Sequence, residues 1–412
     1  MLQPFIAFGL VLLIYGTIEF YGWTAIKTAF QPQNLVRAKW VYWTISISLF
    51  ALFVAYRPFL YKYLNKTFAT YFAMVFVMAL LAKLVVLLFL FPEDIVRFFK
   101  FVAGKFSSAP VVEGATPITR SAFLSRAAII AAAIPAAGMI YGMVVNAYNY
   151  RFRKVTVKFP NLPDAFNGFK IIQLSDIHSG SFNRTEPIVK VIEKINAANA
   201  DLILFTGDLV NNVTSEMEPF MNVFDKLRSK HGVMSVTGNH DYGDYVRWDT
   251  DEEKKANFTQ FIATHKQLGW DLLMNENRIL ERDGQKIAII GVENWGGGGF
   301  AKYGKFDVAY RGTEEIPFKI LMSHDPSSWD KRVLPEFPQT DLTFSGHTHG
   351  AQFGVENKWL KWSPSQYIYK QWAGLYQQGK NYLYVNRGFG FLFYPGRIGI
   401  LPEVAEITLV KG

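Results

Sequence analysis

The sequence contains no cysteine, so a disulfide framework is excluded. Acidic residues are scarce near the start, because the first 160 positions hold 4 Asp/Glu against 16 Lys/Arg. The remaining positions hold 30 acidic and 27 basic residues, so the net charge of +9 belongs to the front of the chain. This distribution indicates anionic lipid headgroups as neighbours of the front. It argues against a nucleic-acid partner for the remainder.

Long apolar stretches dominate the first 150 residues. They cover residues 4–20, 40–56, 68–91 and 127–145. Each approaches the roughly 17–25 residues of a membrane-spanning helix, and tryptophans and tyrosines flank them as at a membrane interface. We predict a transmembrane region of about four helices over residues 1–150, followed by a catalytic α/β domain over residues 151–412.

Two charged residues, Glu19 and Lys83, interrupt the apolar stretches. Ionisable side chains within a membrane are usually paired or functional. The alternatives are an interhelical Glu19–Lys83 pair, or side chains that reach separately toward the membrane interface.

The start of the fourth stretch suggests an orientation. Residues 119–124 partly resemble a twin-arginine export motif, with Ser121 in place of the second arginine. An apolar run with small residues follows, as in a signal sequence kept as an anchor. We therefore expect a multi-pass protein of the inner (cell) membrane with residues 151–412 outside the cytoplasm. The basic residues beside the four stretches divide almost evenly and do not decide the orientation.

Five of the seven histidines fall within five short motifs in the C-terminal two-thirds of the chain. The motifs are Asp176-Ile177-His178, Gly207-Asp208, Gly238-Asn239-His240-Asp241, His324 and Gly346-His347-Thr348-His349. Each follows a short apolar run typical of a buried strand, and a helical pattern at about 186–198 separates the first two. This order favours a largely parallel sheet, with its polar residues gathered at the carboxyl edge. Asp, Asn and His are donors suited to Mn, Fe, Zn or Mg.

These motifs, in this order, resemble those of the calcineurin-like metallophosphoesterases, over residues 150 to 412. Residues 386–390, 397–399 and 402–407 resemble a membrane-associated bacterial branch, which includes enzymes similar to UDP-2,3-diacylglucosamine pyrophosphatases. The resemblance implies a two-sheet αββα sandwich and two divalent metal ions, with Mn favoured over Fe, Zn or Mg.

The resemblance also implies the roles of individual residues. Asp176, His178 and His349 would hold one metal, Asn239, His324 and His347 the other, and Asp208 would bridge both. A shared carboxylate lets two cations lie about 3.5–4 Å apart, close enough to clamp one phosphoryl group. His240 would donate to a phosphoryl oxygen or protonate the leaving group. Where many members carry an aspartate that orients this histidine, the chain has Asn211. Asn211 would bond a neutral histidine, and Asp241 is the alternative partner for a charged one.

The function that follows is hydrolysis of a phosphomonoester, phosphodiester or pyrophosphate bond. Because a membrane anchor suits an amphiphilic substrate, we expect a lipid-linked phosphoester. The alternatives are a phosphodiesterase of soluble nucleotides, with the helices as a tether, and a metal-binding scaffold without turnover. Elsewhere, His265 is predicted to be a solvated helix residue, and Gly296–Gly299 a flexible loop near the site. The aromatic residues between 359 and 376 are interpreted as a packing surface, a membrane-facing surface, or a contact for a lipid or base.

Overall fold

A computed structural model describes residues 3–30, 33–55, 66–104 and 120–412, without the side chains of residues 3–8, 66–67 and 120. Thr119 of the export-like motif and the flanking tyrosines Tyr56, Tyr61 and Tyr63 lie outside the described residues. The chain divides into two compact units, Met1–Tyr141 and Gly142–Gly412.

Four long helices form the N-terminal region. They are α1 (Gln3–Phe30), α2 (Leu35–Ala55), α3 (Lys66–Gly104) and α4 (Arg120–Val144). All four are long and apolar enough to cross a membrane, so each predicted apolar stretch forms a candidate membrane span. The last residues of α4, from Gly142 onward, belong to the second unit.

A buried polar cluster joins three of these helices. Lys83 of α3 lies 2.7 Å from a carboxylate oxygen of Glu19 in α1, so of the two alternatives for these charges the structure shows the interhelical pair. Lys83 also donates to Ser46 of α2 at 2.8 Å, and Tyr42 donates to Glu19 at 2.9 Å. A buried ion pair is tolerable only when such additional hydrogen bonds satisfy both groups.

The second unit contains fourteen strands among its described residues. They are β1 (Arg151–Phe159), β2 (Phe169–Leu174), β3 (Leu202–Phe205), β4 (Val233–Ser235), β5 (Trp270–Leu272), β6 (Glu276–Arg282), β7 (Gln285–Gly291), β8 (Lys319–Met322), β9 (Leu342–Ser345), β10 (Val355–Glu356), β11 (Lys361–Trp362), β12 (Gly374–Gln378), β13 (Asn381–Val385) and β14 (Glu403–Lys411). One sheet has the order β1-β14-β2-β3-β4-β5 and another β12-β13-β9-β8-β7-β6, while β10 and β11 form a separate hairpin. The apolar runs before all five motifs are strands, namely β2, β3, β4, β8 and β9.

Both large sheets have a parallel centre. Strands β2 to β5 run parallel, as do β7, β8, β9 and β13, whereas β14 is antiparallel to β2. Leu174 pairs with Phe205, and Phe205 with Ser235, so these strands end at the same level. The loops that carry the first three motifs therefore leave the sheet at one edge.

Helices cover the outer faces of the two sheets. The α-helices that follow α4 are α5 (Glu186–Ala197), α6 (Met221–Phe224), α7 (Asp251–Gln267), α8 (Phe306–Ala309) and α9 (Leu334–Glu336). Between β2 and β3, α5 (Glu186–Ala197) buries Ile188, Val191, Ile192 and Ile195, spaced as one face of a helix. The inner faces of the sheets share one core, with fully buried residues such as Ile171, Leu204, Ile289 and Ile320. The fold is thus the expected αββα sandwich.

His265 corrects one prediction. It lies in α7 (Asp251–Gln267) and is fully buried rather than solvated. Its ring packs 4.5 Å from that of Phe261 and 5.8 Å from that of Trp270, measured between centroids. The mostly polar sequence of α7 conceals this narrow inward stripe, since only Phe261, Thr264 and His265 of the helix are buried.

Candidate metal centre

The candidate ligands lie on loops whose backbone is unusual. Asp176, His178, Asp208, His347 and His349 all have positive φ, between 48° and 70°. Residues with a Cβ rarely adopt this left-handed region, at a cost of about 1–3 kcal/mol each, and they persist there only where the surroundings fix them. Five such residues, on loops that follow strands of both sheets, indicate a site whose geometry outweighs backbone preference.

The first cluster joins the first and last motifs. Nε2 of His178 lies 3.0 Å from Nε2 of His349, which lies 3.2 Å from Oδ1 of Asp176. All three residues are buried, and their ligand atoms lie within 4.8 Å of one another. Two imidazole nitrogens that face each other this closely require a proton or a cation between them.

The second cluster joins three motifs. Nδ1 of His347 lies 2.7 Å from Oδ1 of Asn239 and 3.3 Å from Nε2 of His324. Nδ1 of His324 lies 2.7 Å from the carbonyl of Thr206 and donates to it, so Nε2 faces the centre. These nitrogen and oxygen atoms form a donor set for a divalent cation.

Asp208 lies between the two clusters. Its Oδ2 is 3.5 Å from Nε2 of His178 in the first cluster and 3.1 Å from Nε2 of His324 in the second. Its Oδ1 accepts the backbone N–H of His240 at 2.9 Å. A single carboxylate oxygen thus faces both donor sets, as a bridging ligand requires.

The centre contains buried carboxylates whose negative charge must be balanced by positive charge. Burial favours the neutral form of His324, but the carboxylates of Asp208 and Asp176 outweigh it and raise the pKa of His324 to about 10. Burial likewise disfavours charge on Asp208, yet His324 and His240 hold its pKa well below its usual value. Two buried carboxylates need compensating positive charge, which a divalent ion would supply.

Asp241 supports the backbone of the site. Its carboxylate accepts the backbone N–H groups of Asp208, Leu209 and Gly238 at 2.8–2.9 Å. Burial, reinforced by the charge of Asp208, raises the pKa of Asp241 to about 7. The carboxylate therefore faces backbone amides rather than the ring of His240, which differs from the expected partnership. The geometry makes Asp241 a positioning residue.

His240 lies beside the first cluster. Its Nδ1 is 2.7 Å from the backbone carbonyl of Asn211, whereas the Asn211 side chain donates to Ser181 at 2.9 Å. Main chain therefore orients the histidine, and the expected side-chain bond is replaced. The half-buried ring of His240 is 5.0 Å from that of His178, between centroids. With Nδ1 donating to a carbonyl, Nε2 is left to meet a substrate.

Three residues that support the ligands carried no signal in the motifs. Tyr369 contacts Nε2 of His347 through its hydroxyl at 2.7 Å. Tyr245 accepts from the amide nitrogen of Asn239 at 2.9 Å, which turns the amide oxygen toward the cluster. Arg397, fully buried, approaches Nδ1 of His349 at 3.3 Å. Tyr369 lies in the aromatic stretch and Arg397 in the segment 397–399 that the sequence singles out, but nothing in the spacing of either segment links it to a histidine.

The glycine run does lie near the site. Phe300, immediately after Gly296–Gly299, packs edge-on against the ring of His347 at 4.9 Å between centroids. The N–H of Gly297 donates to Ser327 at 2.8 Å, and Lys331 donates to the Gly297 carbonyl at 2.7 Å. The loop therefore forms one wall beside the second cluster.

Comparisons with known proteins match both parts of the chain. A family model described as probable calcineurin-like phosphoesterase, transmembrane domain, matches residues 3–147. The model described as calcineurin-like phosphoesterase matches residues 169–351. Uncharacterized metallophosphoesterase YkuE of Bacillus subtilis is 30% identical over 295 residues, which cover 68% of this chain and 93% of that protein.

Two further relatives match a similar share of the chain. A transmembrane protein with metallophosphoesterase domain from Danio rerio is 27% identical, over 69% of this chain and 63% of that protein. UDP-2,3-diacylglucosamine pyrophosphatase LpxG of Chlamydia muridarum is 26% identical, over 63% of this chain and 90% of that protein. The chain belongs to the calcineurin-like phosphoesterase family: it is a membrane-associated metallophosphoesterase, a hydrolase of phosphoester bonds.

Proposed function

We propose that the two clusters hold two divalent cations and that the protein uses them to hydrolyse a phosphomonoester, phosphodiester or pyrophosphate bond of a lipid-linked substrate. The observation that carries the two-metal proposal is Oδ2 of Asp208, within 3.5 Å of a histidine of each cluster. Asp176, His178 and His349 would hold one ion, and Asn239, His324 and His347 the other. Manganese suits this mixed set of carboxylate, amide and imidazole donors.

When bound, two such cations supply charge that neutralises a phosphoryl group and acidifies a water molecule. The residues of the chain do the remaining work. Oδ1 of Asp208 holds the backbone N–H of His240, so the bridging carboxylate also fixes the position of that histidine. Nε2 of His240 would donate a proton to a phosphoryl oxygen or to the leaving group. The carbonyl of Asn211 steadies the ring from Nδ1 in either protonation state.

A lipid-linked substrate is supported by two observations. The chain has four candidate membrane spans, which a soluble substrate would not require. A relative over 63% of the chain is named for a diacylglucosamine substrate, which combines acyl chains with a pyrophosphate. We propose that the protein lies in the inner membrane with its catalytic domain outside the cytoplasm, because the export-like motif stands at the start of α4.

Metal dependence gives the first test. Exhaustive chelation of the detergent-purified protein is expected to abolish hydrolysis, and manganese to restore it better than calcium. Calcium prefers six to eight oxygen ligands and suits a histidine-rich site poorly. The restored enzyme is then assayed with lipid-linked pyrophosphates and with soluble nucleotide phosphodiesters. Faster turnover of soluble nucleotides would favour the helices as a tether. Full activity at zero metal content would remove the mechanism.

Two substitutions separate chemistry from metal binding. His240→Asn is expected to lower kcat by about 10²–10⁴, the usual range for a positioned acid or base, with both metals retained. Asp208→Asn is expected to reduce metal occupancy, because the bridging charge is lost. The matched control is His231→Asn at an exposed histidine outside both clusters. Elemental analysis that shows metal loss in His240→Asn but not in Asp208→Asn would reverse the assignments.

A further inference from the structure

Large apolar side chains are exposed together on one surface of the second unit. Within its described residues, the four most exposed are Trp359 (93%), Phe393 (82%), Ile368 (79%) and Tyr367 (76%). We call these four residues, with Phe353 and Leu360, the hairpin patch. Isolated exposed apolar residues are ordinary, but a contiguous group marks a surface that contacts an apolar partner.

The patch is one continuous surface. Strands β10 and β11 form a hairpin whose turn carries Trp359 and Leu360. The ring of Trp362 in β11 lies 6.0 Å from that of Phe353 and donates to the hydroxyl of Tyr367 at 3.3 Å. These contacts connect the hairpin with the Tyr367–Ile368 segment.

Phe393 is joined to the same surface by Gln352, the neighbour of Phe353. The side-chain amide of Gln352 donates to the carbonyls of Tyr394 at 2.9 Å and Gly396 at 3.0 Å. Phe393 itself has φ of 60°, a conformation that a bulky residue rarely adopts. The loop therefore holds an aromatic ring outward at the expense of backbone strain.

An ion pair also fixes the hairpin to the rest of the catalytic domain. Glu356 of β10 accepts two hydrogen bonds from the guanidinium of Arg387, at 3.0 and 2.6 Å. Such a two-pronged pair fixes orientation as well as distance. Trp359 is thus exposed at the tip of an anchored element.

The end of a membrane span packs on the same loop. Arg397 donates its backbone N–H to the carbonyl of Gly142 at 3.1 Å. The approach is close enough that a Cβ on Gly396 would lie 2.6 Å from the backbone of Gly142. Gly142 is in the last turn of the candidate span Ser121–Val144. The last turn of a membrane-spanning helix lies at the membrane surface, so this contact is the observation that connects the loop of Phe393 with a bilayer.

We propose that the hairpin patch is immersed in the interfacial layer of the membrane that the chain spans. Aromatic and aliphatic side chains bind the boundary between headgroups and acyl chains, and lysines beside them bind anionic headgroups. Lys358 and Lys370 are both exposed and adjoin Trp359 and Tyr369. The continuity with α4 selects a bilayer as the occupant over a second copy of the chain or another protein.

The metal centre adjoins this surface. His349 and Gln352 belong to one short loop segment, residues 349–352. Tyr369, next to Ile368, contacts His347. The patch would therefore hold the ligands at the level of lipid headgroups, where the phosphate of a lipid-linked substrate resides. This consequence for substrate access rests on the proposed function, whereas the immersion itself does not.

Immersion can be measured without enzyme activity. The chain has no cysteine, so Trp359→Cys and Ile368→Cys can each carry one environment-sensitive fluorophore in the full chain, in nanodiscs of zwitterionic and anionic lipid. Ile262→Cys, an exposed apolar position on α7, is the matched control. We expect blue-shifted emission and strong quenching by lipids spin-labelled near the headgroup at positions 359 and 368, and weak quenching at position 262. Equal quenching at all three positions would overturn the proposal. Shielding from aqueous quencher without quenching by lipid would also overturn it, since a protein partner would then cover the patch.

A second measurement concerns access to substrate. A Trp359→Ser/Ile368→Ser variant is expected to lose several-fold in the ratio of hydrolysis of a bilayer-embedded pyrophosphate to hydrolysis of a soluble phosphodiester. Ile262→Ser should keep the wild-type ratio. If this variant keeps the wild-type ratio while the probes at positions 359 and 368 are quenched by lipid, the role in substrate access is overturned and the immersion of the patch is not. Absence of hydrolysis of any phosphoester by the metal-loaded wild type would count against the proposed function instead.

Discussion

Replacing the buried His265 with leucine is expected to make the catalytic unit less sensitive to acid. His265 is fully buried, its Nδ1 lies 3.1 Å from the Phe261 carbonyl, and its Nε2 has no hydrogen-bond partner among the described residues. Burial lowers its pKa from an ordinary 6.5 to about 4. Between these two values the unfolded chain binds a proton that the folded chain excludes. The stability contribution of neutral His265 is therefore intact above pH 6.5 and is lost as the pH falls toward 4.

The magnitude follows from the two pKa values. When His265 is fully protonated in the unfolded state and in the folded state not at all, the free energy of unfolding is lower by about 3 kcal/mol, because each unit of pKa difference corresponds to about 1.4 kcal/mol. Between pH 7 and pH 5 the linkage amounts to roughly 2 kcal/mol. For a unit of this size, that loss corresponds to a fall in Tm of about 4–8 °C. Leucine cannot titrate, so His265→Leu should lack this part of the acid sensitivity.

The assay is thermal unfolding of the full chain in detergent, followed by tryptophan fluorescence at pH 7, 6 and 5. Other groups also titrate in this window, so the informative quantity is the difference between variant and wild type in the change of Tm. The control His231→Leu removes an exposed histidine and should follow the wild type. If Tm falls by the same amount between pH 7 and pH 5 in the wild type and in His265→Leu, the argument from the burial of His265 is refuted.

Three further outcomes are expected. Tyr369→Phe removes the hydroxyl beside Nε2 of His347 and should weaken metal affinity about 10–100-fold, as measured by metal titration after chelation; unchanged affinity would show that the contact is incidental. Glu19→Gln leaves Lys83 buried without its carboxylate and should lower the Tm in detergent, whereas Glu19→Gln/Lys83→Met should recover most of the loss; no recovery would argue against pairing as the reason for these charges. A cysteine at Lys411 should react with a membrane-impermeant thiol reagent on cells whose outer barrier has been opened, and one at Gln33 should not; the reverse pattern would place the catalytic domain in the cytoplasm.

The sequence predicted the strands and spans well because their signals are local. Strand β3 is a run of apolar residues, Leu202–Phe205, that any neighbouring sheet would bury. Length and hydrophobicity alone were enough to recognise the four apolar stretches. The candidate span at residues 68–104 is longer than a membrane-spanning helix requires and is strongly hydrophobic. The motif residues were found because histidine is rare in this chain and each motif stands directly after a strand.

The tertiary structure decided what each polar atom faces. From the sequence, Asp208 was expected to bind metal and Asp241 was an alternative partner of His240. In the structure, the Asp208 carboxylate faces the histidines of both clusters, whereas the Asp241 carboxylate accepts hydrogen bonds from backbone amides. Tyr369 and Arg397 reach the ligands from segments whose spacing to the motifs carries no information. His265 was misplaced because a single inward residue barely alters the polar pattern of α7.

Element type and order were therefore determined by the sequence itself, since periodicity and turn chemistry act over a few neighbouring residues. The centre was decided only by the fold, because its geometry depends on loops from five strands and on five residues forced to positive φ. Local propensity disfavours that conformation. The positive-φ conformation exists here because tertiary contacts outweigh the backbone preference of each residue. These contacts are side-chain packing, the close approach of glycines such as Gly238 to Asp208, and the interactions among the charged side chains of the site.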